Sequence, residues 1–285
     1  TKYLDCSPKF IVMDHTTKKA PYITSTIVRM DESGTVNTQR DNIAVEDPLE
    51  IRIGNDPFVV TMRTPGHDDE LATGFLITEG IIQSRDDIKE ISRCATSPTP
   101  ENTIRVDFKI PSRKEGLKSN RLGAIAASCG VCGKTSIESV QGRFSPINCN
   151  ITIDRQLLLT LPDRLRDSQS VFEKTGGLHS AGIFDMKGNL IVSREDVGRH
   201  NALDKVIGYA ALNDLLPLDN HVLIVSGRVA FEIMQKALAA QLAIVAAVSA
   251  PSSLAVSFAL KSGQTLVGFL RHPRFNVYSH PQRIG

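Results

Sequence analysis

The densest chemistry in the sequence lies at Ser128-Cys129-Gly130-Val131-Cys132-Gly133-Lys134, where two thiols share one short glycine-flanked stretch. A pair at this spacing can share a metal, close a disulfide, or act as carrier and resolver. Gly130 and Gly133 leave the loop open, and the Lys134 charge favours a thiolate. A helix starting at Lys134 toward Ser136 and Val140 would add backbone N–H groups to that effect. Structural zinc would need two further ligands. There is no second Cys-x-x-Cys, and Cys94, Cys149, His179 and His200 are distant and irregularly spaced. A thioredoxin-like pair belongs beside a βαβ pattern, whereas this one follows a basic stretch. A zinc deaminase needs His-x-Glu upstream, and His67-Asp68-Asp69 fails that pattern. No metal site is therefore assigned.

A second set of residues is cationic. Ser226-Gly227-Arg228, Ser249-Ala250-Pro251-Ser252-Ser253 and Arg271-His272-Pro273-Arg274 combine arginines with small residues, and Arg194-Glu195-Asp196-Val197-Gly198-Arg199-His200 is expected to join them as a loop. Planar guanidinium groups beside closely approachable backbone suit a phosphate or diphosphate. The plainer alternative is a set of surface ion pairs with Glu195, Asp196 and Glu232. That alternative suits any one arginine; three on one edge point to a ligand. Among the other candidates, Cys94 and Cys149 read as small packing groups and Cys6 as part of a loose N-terminus. His179 reads equally as a core histidine or a ligand, His200 as the better site candidate, and His280 as a turn residue.

The elements that must carry these residues follow from periodicity. Ser25 to Met30, Leu49 to Ile53, Phe58 to Arg63 and Ile104 to Phe108 alternate or run apolar, as strands do, with Gly34 and Gly54-Asn55-Asp56-Pro57 as turns. Asp68-Asp69-Glu70 opens a helix through Leu71, Phe75 and Leu76 that Gly80 closes. In the last third, Val222 to Val225, Ala243 to Val248 and Thr265 to Phe269 read as buried strands, with helices at Phe231 to Ala240 and Leu254 to Leu260 between them. That alternation predicts βαβ units. Leu178 to Phe184 and Leu190 to Ser193 form an expected hairpin across Lys187-Gly188-Asn189, followed by a helix over Asn201 to Leu212. The fold class is thus α/β with a mixed, mostly parallel sheet, and ligands are expected beyond the carboxyl ends of its strands. Pro111 to Arg121, with Arg113, Lys114, Lys118 and Arg121, is the expected linker. It divides a smaller β-rich α+β N-terminal domain, residues 1–115, from an α/β domain, residues 116–285, that begins with the thiol loop.

Bulk properties exclude several classes. A chain of 285 residues with 41% hydrophobic and 22% charged residues can bury a full core. A net charge of +2 gives no basis for nucleic-acid binding. Five cysteines do not make a disulfide framework, and their one close pair fits a reducing compartment. The N-terminus shows no secretory pattern. Ala237 to Leu260 is the longest apolar stretch, but Gln241, Pro251, Ser252 and Ser253 interrupt the roughly 20 residues a bilayer span requires. A buried strand between two helices is expected there, and no membrane partner.

In combination these motifs resemble the formate dehydrogenase accessory sulfurtransferase family, FdhD/NarQ. The resemblance runs through Thr64-Pro65-Gly66, Glu70 to Phe75, Glu79 to Ile82, Cys129 to Gly133, Thr175 to His179, Glu195 to Lys205, Ser226-Gly227-Arg228 and Val277 to Arg283. It implies a cytoplasmic homodimer that accepts sulfane sulfur from a cysteine desulfurase. The sulfur would pass to the molybdenum (or tungsten) bis-molybdopterin guanine dinucleotide of formate dehydrogenase, bound as the substrate to be sulfurated. The persulfide-bearing cysteine of the family matches Cys129, with Cys132 as its partner, and the cofactor-binding segment matches Phe269-Leu270-Arg271-His272-Pro273-Arg274, with Arg228 assisting. The larger domain is expected to be cytidine-deaminase-like in fold. Many members carry a glycine-containing pair where this chain has His272-Pro273. Proline removes an N–H, so one backbone contact to phosphate is expected to be absent. The competing function is a non-catalytic cofactor-binding chaperone with structural cysteines.

Overall fold

In a computed structural model of the chain, residues 19–110 and 144–285 are described. The N-terminal part opens with a two-stranded antiparallel ribbon, β1 (Tyr22–Met30) and β2 (Val36–Ala44). The Asp31 carboxylate closes its turn, accepting from the N–H groups of Ser33 and Thr35 at 3.0 and 3.1 Å. A four-stranded sheet follows in the order β4-β3-β6-β5, built from β3 (Asp47–Ile53), β4 (Asp56–Arg63), β5 (Ile88–Arg93) and β6 (Thr103–Phe108). Three of these strands match apolar runs in the sequence. β2 and β5 do not, because Asn37 to Asn42 and Lys89-Glu90 give them polar sequences on exposed edges.

The second sheet runs β12-β11-β10-β9-β7-β8, from β7 (His179–Asp185), β8 (Leu190–Asp196), β9 (His221–Val225), β10 (Ile244–Ala247), β11 (Thr265–Arg271) and β12 (Arg274–Ser279). Only β9-β10 and β10-β11 pair in parallel, through crossover helices α5 (Phe231–Ala239) and α6 (Ser253–Ser262). The expected sheet is therefore mixed, but it is not mostly parallel. β7-β8 and β11-β12 are joined by short turns, and a short turn can only return the chain antiparallel. β9 also meets β7 antiparallel.

Between the sheets lie α1 (Asp68–Thr78) and α4 (Arg199–Leu212), both buried on nearly every side. They cross at glycine. A Cβ on Gly74 would collide with the Asp204 carbonyl, and one on Gly208 with the Glu70 carbonyl. One continuous core joins Leu49, Ile51 and Val106 of the first sheet to Ile183, Leu223 and Val245 of the second. On the far face of the second sheet, α2 (Arg155–Asp167) lays Leu158, Leu161 and Leu165 against Phe184, Ile224 and Ile244. A short helix α3 (Ser170–Thr175) follows it. Among the described residues no helix is long and apolar enough to cross a membrane.

Ion pairs on buried carboxylates fasten the layers. Arg63 and Arg93 both donate to Asp68, and Arg194 forks onto Glu70 at 2.6 and 2.7 Å. Lys236 from α5 reaches Asp204 at 2.8 Å, and Thr78 of α1 donates to the same carboxylate. Removing one partner of such a pair would strand the other charge in the core, which costs several kcal/mol, about 3–5.

Candidate functional site

The carboxyl ends of β9, β10 and β11 meet the start of β7 and the end of β8 along one edge of the six-stranded sheet. His179, Arg199, His200, Ser226-Gly227-Arg228, Ser249-Ala250-Pro251 and Arg271 all belong to this edge. Residues Arg194 to His200 are not the loop the sequence suggests. β8 continues to Asp196, and Arg199 already begins α4. The hydrogen bonds explain why. Asp196 is fully buried and accepts from the N–H groups of Thr64 and Gly198, from Asn201, and from Lys205 at 2.7 Å. Glu195 accepts from the N–H groups of Val171 and Phe172. Both acids are therefore committed to the fold, and none of Arg199, Arg228, Arg271 or Arg274 has an ion pair with a described carboxylate.

Close backbone approach at Gly227 draws the cationic groups together. A Cβ there would lie 3.1 Å from His179 Nδ1 and 3.9 Å from Arg199 Cβ. Burial lowers the His179 pKa, and the charges of Arg199 and Arg228 lower it further. His200 is more extreme: burial, then Arg199, Lys236 and His179, push it down to about 3. Both imidazoles are thus held neutral beside two permanent cations. His200 Nε2, Arg199 Nε and Ser180 Oγ are buried without a hydrogen-bond partner among the described residues. An edge with Arg199 and Arg228 beside neutral imidazoles, unspent donors, and Glu195 and Asp196 bonded inward suits an anion that also accepts hydrogen bonds.

The sequence-derived segment Phe269 to Arg274 is an irregular hairpin. Arg271 pairs with Arg274 across the cis His272-Pro273 bond, so both exposed guanidinium groups flank the turn. Phe269 has φ +52° within a register shift, donates its N–H to Ser249 O at 3.1 Å and is exposed. Leu270 points the other way, fully buried against the outer core, so only its backbone can meet a ligand. Gly268 lets the Ser249–Pro251 loop sit on β11; a Cβ there would be 2.8 Å from Pro251 Cδ. His179 and Ser180 belong to the edge more firmly than their apolar sequence context suggests. Their place follows from the strand order, since an antiparallel β7 begins where β9 ends.

Cys129, Cys132 and the basic stretch Arg113 to Arg121 lie outside the described residues. Cys94 is buried, with its Sγ 3.5 Å from Thr96 Oγ1. Cys149 is half-buried, 3.9 Å from the Asp219 carbonyl. Among the described residues no three His, Cys, Asp or Glu side chains gather as a metal site.

Comparison with known proteins then bears on this geometry. The FdhD/NarQ family model matches residues 44–285. The sulfur carrier protein FdhD of Mycolicibacterium paratuberculosis is 48% identical over 259 residues, spanning 89% of this chain and 95% of that one. The sulfur carrier protein FdhD of Picrophilus torridus is 43% identical, over 93% of this chain and 99% of its own. A crystal structure from Desulfotalea psychrophila, of a protein assigned as a formate dehydrogenase accessory protein, superposes with a TM-score of 0.75 at 26% identity. It covers 93% of this chain and all of that one.

Proposed function

Because the chain belongs to the FdhD/NarQ family, we propose that it is a sulfur carrier for formate dehydrogenase, loaded at Cys129 by a cysteine desulfurase. The observation that carries this reading is similarity over 89 and 93% of the chain to two relatives named sulfur carrier proteins, at 48 and 43% identity. In the first step the Cys129 thiolate attacks the outer sulfur of the desulfurase persulfide. A Cys129 persulfide forms and the desulfurase leaves as a thiolate. The substrate to be sulfurated is the molybdenum (or tungsten) bis-molybdopterin guanine dinucleotide. Its diphosphate groups suit the edge formed by Arg199, Arg228, Arg271 and Arg274, and its guanine suits the exposed Phe269 ring. Release as sulfide requires two electrons. Attack of the Cys132 thiolate on Cys129 Sγ supplies them, expelling hydrosulfide and leaving a disulfide that a cellular dithiol reductant resets. The same reading takes the six-stranded layer as cytidine-deaminase-like in type, and the chain as two units, residues 1–115 and 116–285.

The test is intact mass after incubation with a cysteine desulfurase and cysteine, followed by cyanide. The expected result is a cyanide-labile gain of one sulfur on the Cys129 peptide, abolished in Cys129→Ala. No gain with free thiols and an active desulfurase would overturn the carrier reading in favour of a cofactor-binding chaperone.

A further inference from the structure

Residue alternation along β7 decides which of its side chains meets the cationic groups. Ala181 and Ile183 point into the inner core that holds α4, whereas Phe184 joins the outer one. His179 shares the face of Ala181. A Cβ on Gly227 would accordingly stand 3.1 Å from His179 Nδ1 and 3.9 Å from Arg199 Cβ. Each charge around the ring has its place in the fold. Arg199 and His200 come from the start of α4, and Arg228 from the turn after β9. Asp196 comes from the end of β8, opposite His179 in the ladder. It is the one acid of the set, and its oxygens are already taken. Oδ1 accepts from the Gly198 N–H at 2.8 Å and Asn201 Nδ2 at 3.0 Å, and Oδ2 from the Thr64 N–H at 3.1 Å and Lys205 Nζ at 2.7 Å. Neither ring nitrogen of His179 has a hydrogen-bond partner among the described residues.

A proton on the half-buried His179 ring would therefore sit beside two guanidinium groups without a counter-charge of its own. Burial, Arg199 and Arg228 hold its pKa down, and Asp196 offsets them only in part. His200, more deeply buried, stays neutral down to about pH 3. A diphosphate ester reverses the balance, because its two negative charges face Arg199, Arg228 and the imidazole together. We propose that His179 takes up a proton from solvent as the diphosphate docks, and holds that ligand as an imidazolium alongside Arg199 and Arg228. This rests on the reading of the edge as a diphosphate site. Whatever docking adds to the proton affinity of His179, the proton adds to the affinity for diphosphate. Binding therefore tightens as pH falls through the range between the docked and undocked pKa values, and levels off below it. An opposite charge at contact distance is worth about tenfold or more in a proton equilibrium. A ligand without that charge gains nothing from His179, so the residue also selects for diphosphate over an uncharged nucleoside.

The probe is diguanosine diphosphate. Esterified at both ends, it keeps a constant charge near neutral pH, whereas the terminal phosphate of guanosine diphosphate titrates there. The experiment is titration calorimetry of the full chain between pH 8 and 6, in pairs of buffers with different heats of ionisation, which counts the protons taken up on binding. The expected result is an affinity about tenfold higher at pH 6 than at pH 8, with uptake of up to about one proton per chain. His179→Gln should take up none and bind with one affinity across the range, and His200→Gln should keep the wild-type slope. The ring gives a second readout in the wild type: its Cε1–H NMR signal should titrate at higher pH with the probe than without it. Binding without proton uptake, an unmoved His179 signal, or a full slope in His179→Gln would each overturn the proposal while leaving the edge as the docking site. No binding at any pH would remove the diphosphate reading of the edge, and the role of His179 with it.

Discussion

His200 shows how one buried side chain couples the ligand edge to stability. In the unfolded chain an imidazole takes up a proton near pH 6.5. In the fold, burial and the neighbouring cations Arg199 and Lys236 delay protonation to about 3. The native state therefore binds fewer protons across that interval, and stability that is complete above pH 6.5 falls as the pH drops toward 3. At pH 5 the loss from His200 alone is about 2 kcal/mol. Asp68 and Glu70 act in the same direction at lower pH. Burial alone would raise both, but Arg63 and Arg93 around Asp68, and His67 and Arg194 around Glu70, hold them below the ordinary carboxylate range. Their contribution disappears below about pH 4, as each carboxylate takes up its proton. Urea midpoints measured from pH 7 to 4 should fall steadily in the wild type and more gently in His200→Gln between pH 6.5 and 4. Parallel curves would rule out His200 as the source. The sequence offered His200 as a site residue because of its charged neighbours, but not its burial, which comes from packing α4 between two sheets. Leu270 shows the converse: within a motif the whole run looks like ligand, and only the alternation of a strand turns Leu270 inward.

At the scale of elements, the motif block Glu195 to Lys205 does structural work as well as bordering the site. Asp196, Asn201 and Lys205 bind Thr64 and Met62 of the N-terminal part, fixing α4 against β4. α1 then approaches α4 so closely that only glycine fits at Gly74 and Gly208. Gly74→Ala and Gly208→Ala each force a methyl group into backbone rather than into a flexible side chain. Each should destabilise by about 3 kcal/mol, the upper range for overpacking. Ser257→Ala on the exposed face of α6 should stay within about 0.5 kcal/mol. Thermal denaturation of the three variants decides the point, and glycine variants as stable as Ser257→Ala would mean that the crossing is loose. Strands with apolar runs and both crossover helices were legible in the sequence. α2 was not, although Leu158, Leu161 and Leu165 recur at helical spacing, because Pro162 reads as a breaker in the middle of the pattern. Nor could the sequence show that β7 lies between β9 and β8, which brings His179 to the ligand edge.

For the molecule as a whole, the cationic edge and the thiol pair belong to different stretches of chain, so docking and sulfur loading should be separable. The edge rests on a scaffold whose acids are already bonded inward, and its guanidinium groups have no described carboxylate to compete with an anion. Guanosine diphosphate is a suitable probe, since it carries the two chemistries expected there, a diphosphate and a purine ring. Arg228→Gln removes one charge beside His179 while leaving β9 untouched. It should weaken that binding about tenfold, or ~1.4 kcal/mol. Arg271→Gln and Arg274→Gln, flanking the same turn, should each act alike, and higher salt should reduce all affinities because the arginines are exposed. Titration calorimetry provides the binding constants, and the cyanide-labile mass gain on Cys129 provides the loading, measured on the same preparations. Weakened binding with loading unchanged is the expected pattern, because the proposed reading has the desulfurase meet the thiol pair rather than this edge. Unchanged binding in all three variants would remove the edge as the docking site, whereas loading that fell in proportion to binding would mean that the edge also receives the sulfur donor.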